Sequence, residues 1–113
     1  MMRIAFFGSS LVSSYWNGAA TYYRGLLKAL AAPGREITFY EPDAFDRQQH
    51  RDIPDPDWAR VVVYPATEDG WRGAVTDASR NADLMVKASG VGVFDEALDK
   101  AIGDLARGRL LTI

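Results

Sequence analysis

The segment that most constrains the fold is the opening one, where a short apolar run ends at a glycine. Ile4, Ala5, Phe6 and Phe7 form the run and Gly8 ends it. Such a run is typical of a strand buried on both faces of a parallel sheet. Parallel strands need long crossover connections, usually helical. The sequence therefore predicts a first strand over Arg3–Phe7 and an α/β protein built around it.

A helix and a second strand follow the Gly/Ser-rich stretch Gly8–Gly18. Asn17 is a plausible N-cap for a helix from Ala19 to about Ala32, which Pro33 and Gly34 end. Its apolar residues have the spacing of one helix face; they are Ala19, Tyr22, Tyr23, Leu26, Leu27 and Leu30. Glu36–Glu41 alternates and contains β-branched and aromatic residues, which predicts the second strand.

The second half repeats the strand–helix alternation after a polar loop, residues 42–58, in which one helical turn is expected near 44–49. Thr67 is expected to cap a helix whose acidic first turn suits the helix dipole. Gly108 is the expected C′ residue of the last helix. The predicted elements are strand Arg60–Tyr64, a helix with the stripe Trp71, Ala74, Val75 and Ala78, strand Leu84–Ala88, a helix over about Val93–Arg107, and strand Leu110–Ile113.

This order predicts one Rossmann-like domain over residues 1–113. Helix-length, right-handed crossovers favour a doubly wound, mostly parallel, five-stranded sheet in a three-layer α/β/α arrangement. The chain stops inside a predicted strand, which leads us to expect a truncated piece of a larger protein.

Charge and composition exclude several classes of function. The net charge is −2 and the 13 basic residues are scattered, whereas nucleic-acid binding needs a concentrated basic face. Cysteine is absent and His50 is the one histidine, so thiolate and multi-histidine metal sites are not expected. We predict no metal and no cofactor. No membrane span or signal peptide is recognisable, and a cytoplasmic location is expected.

Candidate ligand contacts lie where the strands end, because open α/β sheets bind ligands outside the carboxyl ends of their strands. The loop after the first strand lacks the G-x-G-x-x-G fingerprint, since Ser10 replaces the second glycine, and it has no Walker motif. Small residues there still allow close backbone approach to a ligand. The candidates are Gly8, Ser9, Ser10, Tyr15, Trp16, Asn17, Gly18, Lys87, Ser89 and Gly90.

Several of these residues admit two interpretations. Tyr15 and Trp16 either stack on a sugar ring or anchor their loop to the sheet. Lys87 interrupts an apolar strand, and either meets an anionic ligand or pairs with a carboxylate. Glu41 is expected to be a solvated acid at a strand end. His50 is expected to be exposed and without a catalytic role, the alternative being a base that a flexible acceptor-side loop delivers. No nucleophile–base set can be assembled, so the catalytic residues stay unassigned.

Four segments carry a family resemblance: Met2–Gly8, Asn17–Leu30, Pro33–Glu41 and Ala82–Val86. The chain resembles the N-terminal lobe of GT-B-fold glycosyltransferases, including spore-maturation-type proteins related to the family 4 enzymes. The third segment is similar to the family's R-G-H-E-V-T entry to the second strand, with Pro33 for the arginine and Arg35 for the histidine.

The resemblance implies an acceptor-side lobe of an enzyme that moves a sugar from a nucleotide-sugar donor to an acceptor. In such enzymes the donor binds mainly to the second lobe, so this chain alone is expected to be inactive. The loop Gly8–Gly18 would then face the cleft between the lobes. An uncovered sheet edge or apolar patch makes a homo-oligomer conceivable.

Two other functions stay open. One is a stand-alone flavodoxin-like or Rossmann-like binding module for a small anionic ligand. The other is a non-catalytic oligomerisation fragment.

Overall fold

The computed structural model describes residues 2–106 and 110–112 and confirms a Rossmann-like α/β protein. Each predicted strand and helix lies within a few residues of its expected position. The elements are β1 (Arg3–Phe7), α1 (Ala20–Ala31), β2 (Glu36–Asp43), β3 (Arg60–Pro65), α2 (Glu68–Asn81), β4 (Leu84–Lys87), α3 (Asp95–Ala106) and β5 (Leu110–Thr112).

The sheet is parallel, with β1 at its centre. Four strands follow the order β3-β2-β1-β4, and the three-residue β5 pairs in parallel with the outer side of β4. In the register, Phe6 of β1 lies between Phe39 of β2 and Val86 of β4. The strand order changes direction between β1 and β4, and this switch point is where open sheets form a ligand crevice.

Each face of the sheet has its own apolar core. One core contains Ile4, Phe6 and Phe39 with Tyr23 and Leu27 of α1. The other contains residues of α2 and α3 packed against the opposite side of the strands; these helical residues are Trp71, Ala74, Val75, Ala78, Leu98 and Ile102. The predicted α2 stripe is therefore confirmed. In the predicted last helix region, Leu98 and Ile102 are buried, whereas Phe94 and Leu105 are each 41% exposed.

The N-cap residue of α1 and the first residue of α3 differ from the prediction. Asn17 is not the N-cap of α1: Ala19 occupies that position without a side-chain bond, because the Asn17 side chain turns into its own loop. α3 begins at Asp95 rather than near Val93, since Phe94 adopts a left-handed backbone conformation. Thr67 caps α2 as expected, accepting a hydrogen bond from Gly70 N. The predicted endpoints Arg107, Gly108 and Ile113 lie outside the described residues.

The β2–β3 connection contains no α-helix among its residues. It is a long loop with a single 3-10 turn, Arg47–Gln49, which confirms the expectation of a loop with one helical turn. Trp58 and Ala59 at its end pack against the α1-side core. The loop leaves β2 at the carboxyl edge of the sheet, so the residues that follow Asp43 add side chains to the candidate site.

Candidate functional site at the carboxyl ends of the strands

The ten sequence-predicted site residues divide into a buried and an exposed group. Those that are buried support the loops from inside; they are Gly8, Ser9, Ser10, Asn17 and Lys87. Those that are exposed face solvent at the carboxyl edge; they are Tyr15, Trp16, Gly18, Ser89 and Gly90. Gly8 is required by packing, because a Cβ there would come within 2.7 Å of the Phe39 ring.

The first loop is held by hydrogen bonds among its own small polar residues. Asn17 Nδ2 donates to the carbonyls of Ser10 and Ser13, each at 2.9 Å, and Ser9 Oγ donates to Asn17 Oδ1 at 2.6 Å. Because buried polar groups need partners, this set of bonds explains the run of serines and the asparagine. The small residues therefore serve the shape of the loop.

Glu41 is the buried acid around which this loop folds. It is fully inaccessible to solvent, and its carboxylate accepts bonds from Ser10 Oγ (2.7 Å), Leu11 N (3.0 Å) and Gln48 Nε2 (2.6 Å). The expectation of a solvated strand-end acid is thus wrong, since the first loop and the 3-10 turn close over the end of β2. The Leu11 N–H and the Ser10 hydroxyl donate to Glu41 and are therefore not available to a ligand anion.

A second acid, Asp52, ties the first loop to the β2–β3 connection. Arg24 of α1 binds it with two nitrogens, at 2.7 and 3.1 Å, and Ser14 donates to it through its N–H and its hydroxyl. Arg24 Nε also donates to the Leu11 carbonyl at 2.8 Å. Charge-assisted bidentate bonds of this kind fix orientation as well as contributing energy.

This geometry makes one part of the stability depend on pH. The Arg24 bonds lower the pKa of Asp52 to about 2, against about 3.9 in an unfolded chain. A depressed carboxyl pKa stabilises the fold above about pH 4, and that contribution is lost as the pH falls toward 2. We expect Asp52→Asn to cost about 0.5–1 kcal/mol at pH 6, because the pair is partly exposed.

Urea unfolding between pH 7 and pH 3 tests this dependence. The difference in unfolding free energy between the natural chain and Asp52→Asn should shrink from pH 4 downward. Asp55→Asn, which breaks the exposed Arg51–Asp55 pair, is the matched control and should change stability less. A difference that stays constant or grows on acidification would contradict the role given to Asp52.

Lys87 ends β4 with its charge fully paired. It is 2% exposed, and Nζ lies 2.8 Å from Asp95 Oδ1 and 3.2 Å from Asp99 Oδ1. Burial raises the pKa of Asp95, but the bonds from Lys87, Gly92 N and Val91 N outweigh burial and lower it. The interpretation of Lys87 as a structural ion-pair partner is confirmed, and its pair fixes the 88–94 loop.

Arg47, which no sequence motif indicated, joins the loops at this edge. Its Nε donates to the Tyr15 carbonyl at 3.2 Å and its Nη2 to the Trp16 carbonyl at 2.9 Å. The Phe45 ring lies over the guanidinium, with Cζ 4.8 Å from the ring centroid. Nη1 is buried and has no hydrogen-bond partner among the described residues.

Exposed aromatic side chains are concentrated at this same edge. Trp16 is 80% exposed, Phe45 53% and Phe94 41%. All three have positive φ, at 48°, 56° and 57° respectively. Residues other than glycine rarely adopt this conformation, which costs about 1–3 kcal/mol each and tends to occur at functional sites. Of the two interpretations of Trp16, the hydrophobic anchor does not fit the structure, because most of the Trp16 surface faces solvent.

Tyr15 links the exposed Trp16 to His50. Its ring stacks on the imidazole at 4.0 Å between centroids and meets Trp16 edge-on at 6.0 Å. His50 is exposed, as expected from the sequence. These three rings extend the aromatic surface from the first loop onto the β2–β3 connection.

A small groove lies at the switch point between β1 and β4. It has a volume of about 230 Å³ and is lined by Ala19, Tyr22, Tyr23, Ala88 and Ser89. Two larger grooves lie away from this point. One of about 570 Å³ contains Arg35, Trp58 and Arg60 at the amino edge of the sheet, and one of about 500 Å³ runs between α2 and α3.

Neither a metal-binding cluster nor a membrane-spanning helix occurs in the part of the chain that the structure describes. No group of three or more acidic, histidine or cysteine side chains is placed to hold a metal ion there. None of the described helices has the length and apolar character needed to cross a membrane.

Comparisons with known proteins yield no assignment. The chain matches no protein-family model, no curated protein and no solved structure at a significant level. Its function must therefore be argued from the site itself.

Proposed function

We propose that this chain is the acceptor-side lobe of a glycosyltransferase of the GT-B type, and that its carboxyl edge binds the acceptor saccharide. The observation that carries the proposal is the set of exposed aromatic rings held in left-handed backbone conformations at that edge, namely Trp16, Phe45 and Phe94. The resemblance of the four sequence segments to such lobes supports the choice of reaction.

Exposed aromatic rings suit a saccharide because the apolar face of a sugar ring packs on an aromatic face. A ring held rigidly makes such contacts at a low entropic cost. Trp16 is held through its own carbonyl, which accepts the bond from Arg47 Nη2. Its position is thus fixed by the backbone while its indole stays free to contact a ligand.

The alternative of a Rossmann-like module that cradles a phosphate in the first loop is disfavoured by the surroundings of Glu41. Leu11 N and Ser10 Oγ are turned toward this internal carboxylate. A phosphate approaching the same groups would meet a buried negative charge, which repels it. Binding of flavin or dinucleotide would nevertheless support this alternative.

Intrinsic fluorescence tests the proposal with the chain as it is. We expect neutral mono- and disaccharides at millimolar concentration to change the tryptophan emission of the natural chain but not that of Trp16→Gly, and nucleotide-sugars, flavin and dinucleotides to bind more weakly. Leu105→Ala removes an exposed apolar side chain far from the edge and is the control. If saccharides at concentrations up to ~100 mM leave the emission unchanged, the proposal is overturned, because a specific site is expected to bind more tightly than this limit.

A substitution at Trp16 separates a binding role from a folding role. Trp16→Gly relieves the left-handed strain, so we expect unfolding free energy to stay equal or to rise by up to about 1 kcal/mol. Saccharide affinity should fall at least tenfold, measured by calorimetric titration. Loss of stability without loss of binding would instead mean that Trp16 serves the fold.

A further inference from the structure

We propose that Arg47 is an oxyanion receptor at the carboxyl edge, whose Nη1 binds a carboxylate or phosphate group carried by the ligand. This deepens the proposed function, on which it rests for the idea that this edge receives a ligand. It adds that the ligand is acidic and names the atom that recognises its charge.

Arg47 is buried without an ion pair at contact distance among the described residues, and it is only 6% exposed. Buried arginines are nearly always paired, because removing a charge from water is costly. Burial lowers the pKa of Arg47, and Glu41 raises it only from beyond ion-pair distance.

The unpartnered nitrogen of Arg47, Nη1, is held in a fixed direction. Nε and Nη2 are bound to the carbonyls of Tyr15 and Trp16, so the plane of the guanidinium cannot rotate freely. Nη1 is left as a donor with no acceptor. An unsatisfied buried donor regains its lost hydrogen bond when a ligand supplies an acceptor, and an anionic acceptor gives the stronger bond.

Only the Phe45 ring and the backbone of the 88–94 loop lie close to Nη1 among the contacts that Gly92 and Phe45 make. Gly92 has a φ of 109°, and a Cβ at that position would lie 3.9 Å from Arg47 Nη1 and 3.1 Å from the Phe45 ring. The 88–94 loop therefore passes close to the guanidinium without a side chain between them. The Phe45 ring lies against the same guanidinium and is itself 53% exposed.

The ligand is thus expected to displace the Phe45 ring and to place an oxyanion against Nη1. Its sugar ring would then contact the neighbouring aromatic surface of Trp16. Uronic acids and sugar phosphates share this chemistry, and separate titrations distinguish them.

The test follows the guanidinium NMR signals of Arg47 in the natural chain during titration with inorganic phosphate and, separately, with glucuronate; glucose is the neutral comparison. Arg72 is the matched control, because it lies over Trp71 at the same 4.8 Å but is exposed and paired with Glu68. We expect saturable shifts at Arg47 with either anion or both, and none at Arg72 beyond the effect of ionic strength.

Two variants extend the test beyond the natural chain. Arg47→Met should weaken anion affinity about tenfold or more, the size of one lost charge-assisted bond, whereas Arg72→Met should change it less than twofold. If Arg47→Met does not fold, Phe45→Ala serves instead, and it should strengthen anion binding by uncovering Nη1.

The outcomes separate this inference from the proposed function. Saccharide binding without any Arg47 response to phosphate or glucuronate overturns the receptor role and leaves the proposed function standing. Anion binding at Arg47 without saccharide binding supports the receptor and counts against the glycosyltransferase lobe. Equal responses of Arg47 and Arg72 also overturn the receptor role.

Discussion

Replacement of Glu41 by alanine is expected to cost about 3–5 kcal/mol of unfolding free energy, a large share of the stability of a domain this size. The loss follows from the three donors that Glu41 satisfies in a site without solvent: Ser10 Oγ, Leu11 N and Gln48 Nε2. Without the carboxylate these groups stay buried and unpaired, or the loop must open to hydrate them. Equilibrium urea unfolding measures the loss.

The matched control lies at the other end of the same strand. Glu36 is exposed, and Glu36→Gln should change stability by less than about 0.5 kcal/mol. Glu41→Gln keeps the volume of the side chain but places an amide donor against the three donors around it. Its loss of unfolding free energy should therefore fall between those of Glu41→Ala and Glu36→Gln. Hydrogen exchange at Leu11 N should speed up in both Glu41 variants. An alanine variant within 1 kcal/mol of the natural chain would contradict the view that the first loop folds around this acid.

The second large effect is expected at Gly70, in the first turn of α2. A Cβ at this position would overlap the carbonyl oxygen of Pro65, and it would lie 2.8 Å from the Pro65 carbonyl carbon. Backbone atoms at a strand end cannot move aside as a flexible side chain can. Gly70→Ala should therefore destabilise the chain by about 2–4 kcal/mol, despite the higher helix propensity of alanine.

Gly73, one turn later in the same helix, provides the control. No atom lies within 4 Å of a Cβ added there, so Gly73→Ala should stabilise the chain by about 0.5–1 kcal/mol. Thermal unfolding of the two variants gives opposite signs if α2 packs against β3 as described. Stabilisation by both substitutions would mean that the contact with Pro65 is absent.

Local patterns were enough to predict most of the fold. The apolar run of β1, the stripe of α2 and the Thr67 cap each depend on residues close together in the chain. The N-cap prediction for α1 was wrong for a physical reason: Asn17 is a good capping residue by type, but its amide is used within the first loop. A sequence pattern shows what a side chain can bind and not which of several partners it meets.

The candidate site could be predicted only in part, because its contacts join distant segments. Lys87 was interpretable since a lysine in an apolar strand needs a partner, and Asp95 supplies one eight residues later. Glu41 meets the first loop thirty residues away, and no local signal indicates this burial. Arg47 lies in a polar stretch where an arginine is ordinarily solvated, so its burial and its free Nη1 emerge only in three dimensions.

The residues at the carboxyl edge fall into two groups, those that hold the loops from inside and those that face solvent. Glu41, Asn17 and the Lys87–Asp95 pair hold the loops from inside. Trp16 and Phe45 belong to the second group, and Arg47 connects the two. The internal bonds are satisfied within the chain, whereas the exposed rings and the unpartnered Arg47 Nη1 are the groups that we propose contact a ligand.

Chemical-shift mapping of backbone amides during titration with the saccharide that binds best tests this account most directly. It predicts shifts confined to the first loop around Trp16, to residues 44–47 and to residues 92–95, and their loss in Trp16→Gly. Shifts confined to the amino-edge groove around Arg35 and Trp58, or no shifts in any saccharide titration, would contradict the assignment of the carboxyl edge as the binding site.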